Sequence, residues 1–153
     1  MVARLLVVLG LFMISPAWAD SMAYPKDVQV VETNQPFLAY VDKLKAAIGQ
    51  HKMGIVGLAC ATCGAKSIGV TIPGNRVIMI FNPHFAVRML KASVPAGVEA
   101  PLRLYVTEEP DGSAVLSYKK PSQVFAPYKN AELDKMAGEL DQIVSKIIAA
   151  AAN

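Results

Sequence analysis

The only two thiols of the chain stand two residues apart, in Cys60-Ala61-Thr62-Cys63. A C-x-x-C pair following a strand lowers the first thiol's pKa and supports thiol–disulfide exchange, so a redox pair is one reading. The same spacing also makes a small inert disulfide ring, whose short loop adds little stability, or two buried thiols. A soft metal on Cys60 and Cys63 is the third reading, because thiolates joined by methionine or imidazole suit Cu(I). The donors available for it are His51, His84 and seven methionines, of which Met1 and Met13 fall in the leader described below. The spacings His51 to Cys60 and Cys63 to His84 match no zinc module. Met79 lies in an apolar strand and Met136 on a helical stripe, which reads as core for both.

A second group of chemistry-bearing residues is Asn82-Pro83-His84-Phe85. Asn suits a helix N-cap and Pro the first helical position. An anion or polar ligand could dock on the free N–H groups of Phe85 and Ala86, beside Asn82 and His84. The plainer reading is a surface histidine beside an ordinary cap. His84 is also the one candidate for an axial haem ligand, which would need an apolar pocket. The chain holds no nucleophile elbow of a hydrolase: Ser67, Ser93 and Ser117 lack a context that suggests a base, and Glu108-Glu109 precede a turn where carboxylates are solvated. The expectation is a non-enzymatic binding or accessory module, and the alternative is a thiol-based redox or copper-handling protein.

These residues belong to a chain of 153 residues, 54% hydrophobic and 18% charged, one domain with ample core and far from a disordered composition. Fifteen basic residues against 12 acidic ones leave +3. The basic residues are scattered, unlike the clusters that a phosphate backbone selects, so nucleic acid is not an expected partner. At the start, Arg4, the apolar Leu5–Ile14 and the small-x-small triplet Ala17-Trp18-Ala19 have the layout of a secretory signal, cut after Ala19. The apolar run is well short of the ~20 residues of a membrane span. Residues 1–19 are therefore expected to leave. Residues 20–153 would form a single periplasmic or secreted domain with no stable membrane span.

Along that domain, Asp27–Thr33 is β-rich, and after Pro36 the residues Phe37, Tyr40, Val41, Leu44 and Ile48 recur at helical spacing as far as Gly49. Gly54–Ala59 reads as a strand buried on both faces that delivers the cysteines into a loop. Val77–Phe81 is uninterruptedly apolar, the pattern of a central, doubly covered strand. A short helix spans His84–Lys91. Leu102–Thr107 and Ala114–Tyr118 flank the turn Glu109-Pro110-Asp111-Gly112 as a hairpin. Lys119–Lys129, with Pro121 and Pro127, reads as loop. Asn130 caps a last helix whose stripe is Leu133, Met136, Leu140, Ile143, Val144, Ile147 and Ile148. The order predicts an α+β fold: a two-layer sandwich of a mainly antiparallel sheet with helices on one face.

Several of these segments resemble the domain of unknown function 302 (DUF302) family. They are Met53-Gly54-Ile55-Val56-Gly57, then Ile80-Phe81-Asn82-Pro83-His84-Phe85-Ala86, then Ala100-Pro101-Leu102-Arg103-Leu104-Tyr105-Val106, and Ser117-Tyr118-Lys119-Lys120-Pro121 after the Asp-Gly hairpin. The resemblance covers nearly all of residues 20–153. It implies a β-α-β(4)-α-like domain, here with an extra short helix, that self-associates and has no established activity. Where many members carry cysteines near the Asn-Pro turn and after the later proline, this chain has Phe81-Asn82 and Pro101-Leu102. Where others carry Asp-His at the end of the second strand, it has Cys60-Ala61.

Two geometric expectations complete the reading. A sheet covered on one face leaves the other to a second copy, a homodimer through Tyr105, Tyr118 and their apolar neighbours. The Cys60–Cys63 and Asn82–Pro83 segments would open at the same end of the sheet. There they would form a pocket walled by Phe81, Phe85 and Met89 with Asn82 and His84 as its polar groups, suited to a small apolar or anionic ligand. Pro101, just ahead of a strand, also resembles the proline of redox folds, although Gly64–Gly69 is a poor start for the long helix such folds use.

Overall fold

The computed structural model describes residues 24–153. The leader at 1–19 lies outside the described residues. Five strands form one antiparallel sheet in the order β1-β5-β4-β3-β2. They are β1 (Val28–Pro36), β2 (Gly54–Ala59), β3 (Asn75–Phe81), β4 (Leu102–Glu108) and β5 (Ser113–Lys119). The helices are α1 (Phe37–Gln50), α2 (Ala61–Ser67), α3 (Pro83–Ala92), α4 (Pro121–Phe125) and α5 (Ala131–Ala152), with 3-10 turns at Pro95–Glu99 and Ala126–Tyr128. The expected α+β sandwich is therefore the fold.

The long helices follow the sequence periodicity. On α1 the residues Phe37, Tyr40, Val41, Leu44, Ala47 and Ile48 are buried, and on α5 Leu133, Met136, Ala137, Leu140, Val144, Ile147 and Ala151. These two stripes meet each other and one face of the sheet, where Ile78, Ile80, Leu104, Val106 and Leu116 are at most 1% exposed. Each such side chain contributes roughly 1.5–3 kcal/mol through its removal from water. A local cap sets the start of α5: Asn130 Oδ1 accepts from Glu132 N and Leu133 N, satisfying two N–H groups that a bare first turn leaves unpaired.

Four sequence expectations are corrected. First, β2 is an edge strand, not a buried one: Ile55, Val56 and Leu58 are 36%, 57% and 56% exposed. An apolar run reads alike at the edge and in the middle of a sheet, because hydropathy carries no strand order. Second, β4, not β3, is the middle strand. On β3 only Ile78 and Ile80 are buried, while Val77, Met79 and Phe81 remain half-buried. Third, residues 119–129 are not a loop. Pro121 begins α4, and the cap comes from a distant element, with Asp141 Oδ1 accepting from Ser122 N at 3.0 Å and Oδ2 from Ser122 Oγ at 2.5 Å. Prolines at first helical positions are compatible with helix.

Fourth, Tyr105 and Tyr118 lie on opposite faces. The register pairs Leu104 with Tyr118 and Tyr105 with Ser117. Tyr118 therefore joins the helix face, packed against the core, and Tyr105 the open face. The open face carries Val30, Val77, Met79, Tyr105, Val115 and Ser117.

Under the helices one polar atom is left over. Tyr40 is 1% exposed and its hydroxyl has no hydrogen-bond partner among the described residues. Burial, with a smaller contribution from the neighbouring Tyr118, pushes its phenol up to about 12. Because the folded chain keeps this proton longer than the unfolded chain does, the stability involved is present below pH ~10, the ordinary tyrosine value, and is lost as pH rises toward 12. Tyr40→Phe removes an unsatisfied buried group and is expected to raise the unfolding free energy by about 1 kcal/mol at pH 7. The gain should widen above pH 10 in urea titrations. A Tyr40→Phe variant weaker than the parent at both pH values would show that the hydroxyl is satisfied.

Candidate functional site

Asn82 organises the turn between β3 and α3. Its Oδ1 accepts from His84 N at 2.9 Å, and its Nδ2 donates to the Lys52 carbonyl at 2.8 Å. One side chain thus caps α3 and ties it to the segment that enters β2, where Lys52 adopts the left-handed conformation (φ 59°). Beneath this turn lies an apolar cleft lined by Met53, Ile80, Phe81, Asn82, Phe85, Ala86, Met89, Ala100, Pro101, Leu102, Phe125, Met136 and Leu140. The expected walls Phe81, Phe85 and Met89 are all present. Its cavity volume is about 30 Å³, space for one or two waters and far below the several hundred Å³ of a drug-sized ligand. A haem has no room there, and His84 is exposed and stands outside the lining.

One wall is held from outside. The Arg88 guanidinium on α3 forks onto Glu139 of α5 through bonds of 2.6 and 2.8 Å, and it lies 5.4 Å from the centroid of the Phe85 ring. Arg88 holds the exposed Glu139 carboxyl below its usual range. An ion pair this open to water is screened and adds little to stability. Its effect is positional, keeping Phe85 over the cleft.

The cysteines are elsewhere. The register sets Gly54 opposite Phe81 and Ala59 opposite Val77, so Asn82 follows one end of the β2–β3 pair and Cys60 leaves the other. The two sites are separated by about 20 Å at 3.3 Å per strand residue. The expected shared pocket does not exist, because antiparallel neighbours finish at opposite ends of the sheet. Pro101 pairs with the Phe81 end too, since Leu102 faces Ile80, so it stands far from the cysteines and the likeness to redox folds fails.

Cys60 and Cys63 form a disulfide, and no cysteine is free. The pair lies at the start of the short helix α2, where the sequence predicts a loop, and Cys60 Sγ accepts from Cys63 N at 2.9 Å. Cys63 is exposed and Cys60 half-buried, which removes the reading of two buried thiols. Leu58, Ile68 and Val70 around it are 56%, 77% and 47% exposed. Among the described residues, no group of three or more His, Cys, Asp or Glu side chains is placed to hold a metal. No described helix is long and apolar enough to cross a membrane.

The sequence reading missed Met53, Phe125, Met136 and Leu140 as cleft residues. All four lie far from Asn82 in sequence or on another element, and no local signal ties them to it.

Residues 29–151 match the family model described as domain of unknown function DUF302. Among solved structures, an uncharacterized conserved DUF302 protein from Bacillus stearothermophilus superimposes with a TM-score of 0.73 at 16% identity, covering 82% of this chain and 98% of that one. That likeness carries the fold. No curated protein matches the chain.

Proposed function

We propose that this chain, which belongs to the DUF302 family, is a non-enzymatic exported binding or accessory module whose ligand enters the cleft under the Asn82–Pro83 turn. The observation that carries this reading is the cleft itself. Its apolar walls come from five separate elements, its mouth is fixed by Asn82, and its outer wall Phe85 is held by Arg88. The occupant in this reading is a small apolar or anionic molecule: a short carboxylate needs more than the free 30 Å³, so its chain would push Phe85 and Met89 aside, with its head toward the start of α3. Asn82 and Phe85 face the ligand in this reading, and His84, outside the lining, could meet only a head group that projects from the mouth.

Hexanoate is the probe. Amide and methyl chemical shifts of Phe85, Met89 and Met136 should move on titration, and Ala86→Leu, which fills the cleft, should abolish the response. Shifts confined to surface lysines would overturn the reading. The alternative, a thiol-based redox or copper-handling role, draws on the exposed Cys60–Cys63 disulfide and the apolar residues around it. Thiol trapping of protein taken from its own compartment separates the two, since only the alternative needs a pair that cycles between oxidised and reduced forms.

Export through the leader at 1–19 and pairing of two copies through the open sheet face are part of the same proposal. Tyr105 stands on the middle strand of that face and Val30, 44% exposed, on its β1 edge. Intact mass and light scattering on protein from the cell-envelope fraction test both. Asp20 should be the first residue and the particle should have twice the chain mass. A retained Met1, or a monomer at micromolar concentration, would contradict them.

A further inference from the structure

The geometry points to a soft monovalent cation, copper(I) or silver(I), as an occupant of this cleft, held by the thioethers of Met53, Met89 and Met136. The inference rests on the cleft being a ligand site and assigns it an occupant of a second class, distinct from the organic one. Of the four methionines within the described residues, three line this one cavity. They reach it from separate elements: the segment before β2, α3 and α5. The fourth, Met79, lies on the other face of the sheet against Gly57.

Methionine is a good filler of irregular cores because it is flexible, and filling is the plain explanation for a single buried one. Here three, at 5%, 4% and 2% exposure, line one cleft in which about 30 Å³ stays unfilled. Filling accounts poorly for a void. An ion needs less room than that, whereas most organic ligands need more.

The donor set selects the kind of ion. Asn82, the one polar side chain in the lining, commits its oxygen to His84 N and its amide to the Lys52 carbonyl. One amide oxygen, already accepting a hydrogen bond, falls far short of the six or more oxygens of a hard cation such as Mg²⁺ or Ca²⁺, and thioethers favour Cu(I) among the physiological metals. Neutral ligands also leave the ion's whole charge in an apolar site, and the cost of burying a charge rises with its square, which favours +1 over +2. The rings of Phe81, Phe85 and Phe125 in the same lining can offset part of that cost through cation–π attraction.

Silver nitrate, free of redox chemistry, is the test, titrated into the purified chain with its disulfide intact. Native mass spectrometry should count one Ag⁺ per chain. The ε-methyl signals of Met53, Met89 and Met136 should shift while that of Met79 stays. The double variant M89L/M136L, which conserves volume, should bind at least tenfold more weakly with an unchanged thermal melt, and M79L should bind as the parent does. Three results would overturn the inference: unchanged affinity in M89L/M136L, binding abolished by C60A/C63A in place of the methionine changes, or no uptake. If silver fails while hexanoate still moves Phe85 and Met89, the cation is wrong and the cleft reading stands. If both fail, the cleft reading falls with it.

Discussion

Phe125→Ala is expected to lower the unfolding free energy by about 3–5 kcal/mol, a large part of the 5–15 kcal/mol typical of a domain. Phe125 is 2% exposed at the end of α4, with its ring 6.5 Å from that of Tyr128. Its ring closes one side of the cleft beside Met136 and Leu140. Truncation removes that apolar area from the core and joins its volume to an existing void, so the surroundings have little to collapse onto. Urea unfolding should show an earlier midpoint with an unchanged slope. A loss below about 1 kcal/mol, small for a buried aromatic, would mean that α4 packs loosely and that the cleft lacks the wall described for it.

Gly74→Val should cost about 2–3 kcal/mol, through overpacking instead of loss of contact. A Cβ at Gly74 would come within 2.5 and 2.6 Å of Phe37 Cε1 and Cδ1, and within 2.8 Å of Glu108 Oε2. None of these neighbours can retreat cheaply. Phe37 is 3% exposed in the first turn of α1, and its N–H donates to the Gly112 carbonyl at 3.1 Å. Glu108 Oε2 accepts from Gly74 N at 2.6 Å, while Glu108 N donates back to the Gly74 carbonyl at 2.9 Å. Gly138→Ala is the internal control: nothing lies within 4 Å of a Cβ there, in the middle of α5, and the change should stabilise by up to about 1 kcal/mol through helix propensity. Equal stability of Gly74→Val and the parent would show that Phe37 has room to move.

What the sequence determined on its own is what local spacing controls. The stripes of α1 and α5 follow from the 3.6-residue period. The caps Asn82 and Asn130 and the Glu109–Gly112 turn follow from side chains that reach backbone groups two or three residues away. Those signals, with the order of elements, were enough for the α+β sandwich and for placing Phe81, Phe85 and Met89 in one pocket, since the strand end, cap and helix are contiguous.

Strand order, register and convergence were decided only in three dimensions. Ile55, Val56 and Leu58 read as core but lie on an edge, because nothing in a run of apolar residues says how many neighbours the strand will have. Tyr105 and Tyr118 read as partners but point to opposite faces, because successive strand residues alternate and a shift of one residue in pairing reverses every side chain. Cys60 and Asn82 each follow an apolar strand, yet the antiparallel pairing of those strands places them at opposite ends of the sheet. The placing of Met53, Met89 and Met136 in the lining of one cleft spans 83 residues of chain. Contacts at such separations arise only when helices and sheet pack together, and single-chain periodicity holds no record of them.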